Sequence, residues 1–371
     1  MRQKECRIII VVVATVFLFL LNACGAKVTL IPEKPIVTVL PTLTHDLQKA
    51  NEYAELPKNV SEVDILEIPL PAPLDKPNAE ISGMDWYGDK LVILPQYPDR
   101  FVVDNFGSLF YINKSDIIAF IKNPSDTPVT IQRIPFDQGG IQDDLAGFEG
   151  FEAIAFYEDH FYVTVETKPG VNMKGYIFRG EAKDKLSLLT IDADTYQEIH
   201  PQAEFINASD EALLIFNQKV VTFFEDYGEN KNNDPLVHVF SLDLREIVTI
   251  PMPHIEYRLT DVTHVDSDGN FWAMNYFFPG DKHLLPASDP IAEEYGEGDT
   301  HQLYEPVERL VKFHIDENGI TLLDQEPVQF ALLLDGEARN WEGLVGLEGY
   351  GFLVATDKFP STILGFCEIL R

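Results

Sequence analysis

Five stretches of the chain share one layout: Ser82 to Gln96, Glu152 to Glu166, Glu211 to Glu225, Asp261 to Asn275 and Glu342 to Asp357. In each, a polar or acidic residue opens an apolar run, a turn of Gly, Asp or Asn follows, and a second apolar run closes on another polar residue. Opener and closer are 14 residues apart in the first four copies and 15 in the last. Runs of this length around such turns predict β-hairpins. A hairpin repeated five times predicts a radial array of equivalent sheets. A third β-like run follows every hairpin, and a fourth follows all but the last. The stretch Val63 to Pro71 is a strand with no hairpin of its own and suits that vacancy. The expectation is an all-β chain: a β-propeller of five four-stranded blades over residues 62–371, closed by the N-terminal strand. Six blades are the alternative, because 81 residues separate the openers Asp261 and Glu342. Pro279 to Thr300 shows no alternation and reads as a long surface loop.

In such an array the first strand of each blade lines the axis and the second runs antiparallel beside it, so openers and closers converge at one mouth. The openers Ser82, Glu152, Glu211, Asp261 and Glu342 form an inner ring; the closers Gln96, Glu166, Glu225, Asn275 and Asp357 form an outer one. Seven of these ten are carboxylates. Two carboxylates about 4 Å apart repel by roughly 4 kcal/mol at an effective dielectric near 20, which raises their pKa values. Ca2+, with its forgiving oxygen coordination, relieves that repulsion. The expected metal ligands are therefore Ser82, Glu152, Glu211, Asp261 and Glu342. The competing reading has the acids capping strand ends or pairing with nearby bases. Arg100, Lys168, Lys231, Lys282 and Lys358 each lie within seven residues of a closer. Such cations suit an anionic ligand, phosphate first, or else balance the ring as salt bridges. Tyr97, Tyr227, Tyr276, Phe277 and Asn340 are expected beside them.

The chain of 371 residues carries 28 basic and 60 acidic side chains, a net charge of −32, which excludes nucleic acid as the main partner. Its apolar residues, 45% of the total with 25 Phe and 14 Tyr, suffice for a large core and exclude disorder. The histidines show no zinc-site spacing, and no GxSxG, Walker or Rossmann motif is present. Arg2, Lys4 and Arg7 precede an apolar run from Ile8 to Leu21 that is too short to span a bilayer. It ends in Leu21-Asn22-Ala23-Cys24-Gly25, which resembles the lipobox of bacterial lipoproteins. The implied organisation is a signal peptide over 1–23, a lipidated Cys24 with a Pro-containing tether over 24–61, and the propeller over 62–371. The resemblance implies an extracytoplasmic monomer held on a bacterial membrane by acyl chains alone. An ordinary signal peptide or an uncleaved anchor is the alternative.

The blade openings Glu149-GFEAIAF and Asn340-WEGLVGL, with Ala208-SDEAL and Asp357-KFPSTILGF, resemble the esterase-like phytase domain over residues 62–371. The opener order Ser, Glu, Glu, variable, Glu is similar to that of five-bladed calcium-activated nucleotidases (apyrases). That resemblance implies an axial calcium on Ser82, Glu152, Glu211, Glu342 and Asp261, although the apyrases' acid-rich stretch is replaced here by Leu94-PQYPDR. The function expected from the sequence is calcium-dependent hydrolysis of a phosphorylated or other anionic small molecule. One of Glu166, Glu225 or Asp357 would activate water, and Arg100, Lys168 or Lys358 would neutralise developing charge. The alternative is a non-catalytic propeller with a structural calcium that binds a ligand or a protein partner.

Overall fold

A computed structural model describes residues 60–202 and 208–369 of the chain. Residues 1–23, Cys24 and nearly all of the 24–61 tether lie outside the described residues.

The chain is all-β with propeller-type strand order. The five hairpins named above pair Ile81–Tyr87 with Lys90–Pro95, Phe148–Tyr157 with His160–Thr167, Asp210–Phe216 with Lys219–Phe224, Ile255–Val262 with Asn270–Phe277, and Trp341–Leu347 with Gly351–Thr356. Third strands follow at Gly107–Asn113, Lys174–Lys183, Leu236–Ser241, Val307–Asp316 and Leu364–Glu368. Fourth strands are Gln132–Asp137, Leu188–Ile199 and Ile247–Pro251; in the fourth group Gly319–Leu322 and Val328–Phe330 share opposite ends of Val307–Asp316.

Turn chemistry sets the hairpin register. Phe216 pairs with Lys219, leaving Asn217 and Gln218 as a two-residue turn at φ 49° and 58°, the primed geometry whose twist matches the flanking strands. The inner strands read as apolar runs because both faces are covered; all eight residues of Ile255–Val262 are buried. Their side chains build five apolar layers, each between neighbouring groups. Leu91 and Phe110 meet Leu353 and Phe366. Leu94 and Leu109 meet Phe151 and Phe161, and Tyr162 and Ile177 meet Leu213 and Phe240. Phe223 and Val221 meet Phe271 and Leu259, and Met274 and Phe330 meet Trp341 and Val354. The inner strands likewise pack in order, and Trp341–Leu347 returns against Ile81–Tyr87.

One N-terminal segment closes the cycle. Ile65–Glu67 pairs antiparallel with Leu364–Glu368, and Glu62–Val63 runs parallel to Val328–Phe330 in the group before it. Glu62 fastens the seam further, its carboxylate accepting from the backbone N–H groups of Thr300 and His301 and from Nδ1 of His301 at 2.8 Å. The expected loop Pro279 to Thr300 holds a short helix, Pro290–Tyr295. Asp289 caps its first turn by accepting from Ile291 and Ala292, and Arg309 pins Asp289 at 2.7 Å.

Candidate functional site

Every hairpin has a β-bulge at the residue that opens it. Register slips between Ile81 and Gly83, Phe151 and Ile154, Asp210 and Ala212, Leu259 and Val262, and Trp341 and Gly343. A bulge leaves its extra residue out of the ladder and re-aims its side chain. That is how an apolar strand delivers Ser82, Glu152, Glu211 and Glu342 to a cavity of about 470 Å³ at the axis. The closers Gln96, Glu166, Glu225 and Asp357 line the same cavity, as do Lys168 and Lys358.

Among the expected openers, closers and cations, Arg100, Asn275, Asp261, Lys231 and Lys282 do not line it. Arg100 is turned outward, bonded to Glu80 at 2.9 Å and stacked on Tyr97, and does not line the cavity. Asn275 is wholly buried beneath the mouth, where it donates to the carbonyls of Glu256 and Arg258 and accepts from Arg309. Asp261 sits below the ring, its two oxygens accepting from the N–H groups of Val262 at 2.8 Å and Leu344 at 2.6 Å. The fourth bulge takes two residues, Thr260 and Asp261, so the positions matching the other openers and closers are Thr260 and Tyr276. Asp261 is therefore a stitch between neighbouring inner strands, a role Asp85 repeats by accepting from Phe156 at 2.6 Å. Asp261→Ala is expected to orphan two buried N–H groups and lower stability by roughly 2–3 kcal/mol in urea unfolding, with the cavity unchanged.

The fourth group contributes Arg258 instead of an acid. Its guanidinium ion-pairs with Glu225 and bonds Asp281 through Nε and Nη2 at 3.0 and 2.8 Å. Arg258 went unnoticed in the sequence; a lone arginine inside the otherwise buried strand Ile255–Val262 is the signal that marks it. Glu149, Phe278 and Phe359 also line the cavity without having been singled out. Tyr227 and Phe277 are core residues, whereas Tyr97, Tyr276 and Asn340 reach the cavity.

Hydrogen bonds divide the acids. Gln96 donates to Glu152 at 3.1 Å and Asn340 to Glu342 at 3.1 Å, while Tyr276 donates to Asn340. Glu211 Oε2 is buried with no partner among the described residues. Burial, with the charges of neighbouring acids added, holds Glu152 and Glu342 well above the ordinary carboxylate range. Burial and the charge of Glu166 push Glu211 up to about 8. Glu166 is pushed up to about 7 by burial. These groups bind protons more tightly in the folded chain than in the unfolded one. Their contribution to stability is full below pH about 4.5 and is lost as pH rises through about 7 and 8. Thermal unfolding is expected at least about 5 °C higher at pH 5.5 than at pH 8.5, with the difference reduced in Glu211→Gln.

Among the described residues no three His, Cys, Asp or Glu side chains form a metal-ligand set, so the calcium expected from the sequence enters no step below.

No protein-family model and no curated protein matches the chain. Among solved structures the chain is similar to a glycosyl hydrolase from Bacteroides ovatus, with TM-score 0.45 and 10% identity over 84% of this chain and 96% of that one. It is also similar to the endo-arabinase of Bacteroides thetaiotaomicron, with TM-score 0.44 and 11% identity over 82% and 97% of the two chains. A third likeness is to a mutant α-L-arabinanase from Cellvibrio cellulosa, with TM-score 0.41 and 10% identity over 77% and 90%. These neighbours are described as glycoside hydrolases. The expectations of phosphoester hydrolysis and of a non-catalytic calcium-binding propeller are corrected accordingly. The mouth supplies a physical reason against a phosphorylated substrate: of the cations that line it, Arg258 is already paired with Glu225 and Asp281, which leaves Lys168 and Lys358. These likenesses neither support the resemblance to esterase-like phytase domains and apyrases nor conflict with it.

Proposed function

We propose that the chain is a five-bladed propeller, anchored outside the cytoplasm through Cys24, whose acidic mouth hydrolyses the glycosidic bond of a neutral sugar by general acid–base catalysis. Five blades are supported by the cycle of inner strands, which returns from Trp341–Leu347 to Ile81–Tyr87 with an apolar layer at every step. The single observation that carries the chemistry is the presence of two kinds of carboxyl in one cavity: Glu166, titrating at about 7, and Glu225, charge-paired with Arg258. Glycoside hydrolysis needs one carboxyl that still holds its proton near neutral pH and one that does not. Glu166 gives its proton to the departing glycosidic oxygen as the carbon–oxygen bond breaks. Glu225 takes a proton from the water whose oxygen bonds to the anomeric carbon, so the leaving alcohol carries the Glu166 proton and the sugar keeps the water's oxygen. A neutral substrate suits the mouth, because Arg258 is already paired and Lys168 and Lys358 alone remain among the lining cations to meet an anion.

The test is release of reducing sugar from a panel of neutral glycosides, arabinosides included, beside a phosphoester panel. Turnover of a glycoside is expected. Phosphoester turnover with every glycoside inert would overturn the reading.

A further inference from the structure

Three aromatic side chains stand on one side of the mouth. Phe278 follows the fourth hairpin, Phe359 the fifth and Tyr97 the first, and the packing order of the inner strands makes these three groups consecutive around the ring. All three line the cavity that holds the carboxyls. Phe359 is 54% exposed and Phe278 45% exposed, so both rings offer free surface beside the cavity. Tyr97 is steadied edge-on by Phe148 and covered by the Arg100 guanidinium, 4.1 Å from its ring centre. Polar and charged side chains surround these rings in the same cavity, among them Glu149, Asp281 and Lys358.

We infer that this arc, Phe278, Phe359 and Tyr97, is a stacking subsite for a second sugar ring, so that the substrate is a neutral oligosaccharide or polysaccharide and not a monosaccharide glycoside. The inference rests on the hydrolytic reading above and names its substrate class. The chemistry is direct. A sugar ring presents one face of C–H bonds, weakly positive and apolar, which lies flat against the negative face of an aromatic ring. Its hydroxyl edges remain free for the carboxyls, the two lysines and Asn340. An exposed aromatic beside a polar cavity is the usual arrangement of a site that buries one face of a ligand and hydrogen-bonds its rim. These residues position the substrate; they take no part in proton transfer.

The experiment separates the subsite from the catalysis by reading binding and turnover independently. Migration of the protein in native gels cast with neutral polysaccharides, arabinan and xylan among them, reports binding without chemistry. The wild-type chain is expected to be retarded by at least one polymer. Phe278→Ala/Phe359→Ala is expected to lose that retardation, and Glu166→Gln to keep it. In solution the double variant is expected to raise KM for an oligosaccharide about tenfold while leaving kcat within about twofold. Phe278→Tyr/Phe359→Tyr, which keeps the rings, restores KM and controls for misfolding. Retardation and KM unchanged by the alanine variant, a loss that falls on kcat instead of KM, or a wild-type chain retarded by no polymer, would each overturn the inference. Retardation that depends on the arc in a chain with no glycosidase activity would instead overturn the hydrolytic reading and leave the subsite standing.

Discussion

Glu166→Gln is expected to lower kcat/KM for a neutral glycoside roughly 1,000-fold, within the 10²–10⁴ range of a lost general acid. The amide keeps the shape and burial of the carboxyl but carries no acidic proton. Oligosaccharide binding at the aromatic arc is therefore expected to survive, and the loss to fall on kcat. The wild-type pH profile of kcat/KM is expected to fall as pH rises through about 7, where Glu166 loses its proton. A substrate with a good leaving group, such as a dinitrophenyl glycoside, needs little protonation and is expected to be spared most of the loss. Equal damage to good and poor leaving groups would contradict the assignment of Glu166 as the acid.

Arg258→Met is expected to cost about 3–5 kcal/mol of stability at pH 7, the range for stripping one partner from a buried ion pair. The guanidinium is the only cation among the described residues that bonds Glu225, and it also carries two hydrogen bonds to Asp281. Without it, the buried Glu225 carboxylate is left with no counter-charge bonded to it. Urea unfolding measures the loss. The double variant Arg258→Met/Glu225→Gln is expected to recover most of it, because a neutral pair removes the uncompensated charge. No recovery would mean that Arg258 acts through packing and not through charge.

The hairpins were legible because a strand covered on both faces and a tight turn leave a pattern that survives without sequence identity between copies. The vacancy filled by Ile65–Glu67 was legible for the same reason. Asp261 and Asn275 were placed one residue away from the positions that match the other groups. The second and fourth bulges each span two residues, but the acid comes first in the second, Glu152 before Ala153, and second in the fourth, Asp261 after Thr260. Arg100 follows its closer as regularly as Lys168 does, yet Glu80, reversed into the left-handed region at φ 45°, reaches it first. Arg258 was hidden because its partners Glu225 and Asp281 lie on other segments and only the folded ring unites them. The expectation of an anionic ligand failed through that same gap: of the five cations placed near the mouth in sequence, the folded mouth keeps Lys168 and Lys358 and adds Arg258, which is already neutralised.

The account stands on carboxyls that keep their protons near neutral pH in a cavity shared with an ion-paired one. Carbon-13 NMR of labelled glutamate side chains, followed from pH 4 to 9, reads this most directly. Two resonances are expected to titrate near 7 and near 8; Glu166→Gln removes one and Glu211→Gln the other, each shifting the step that remains. A spectrum in which every glutamate titrates between about 4 and 5 would contradict it.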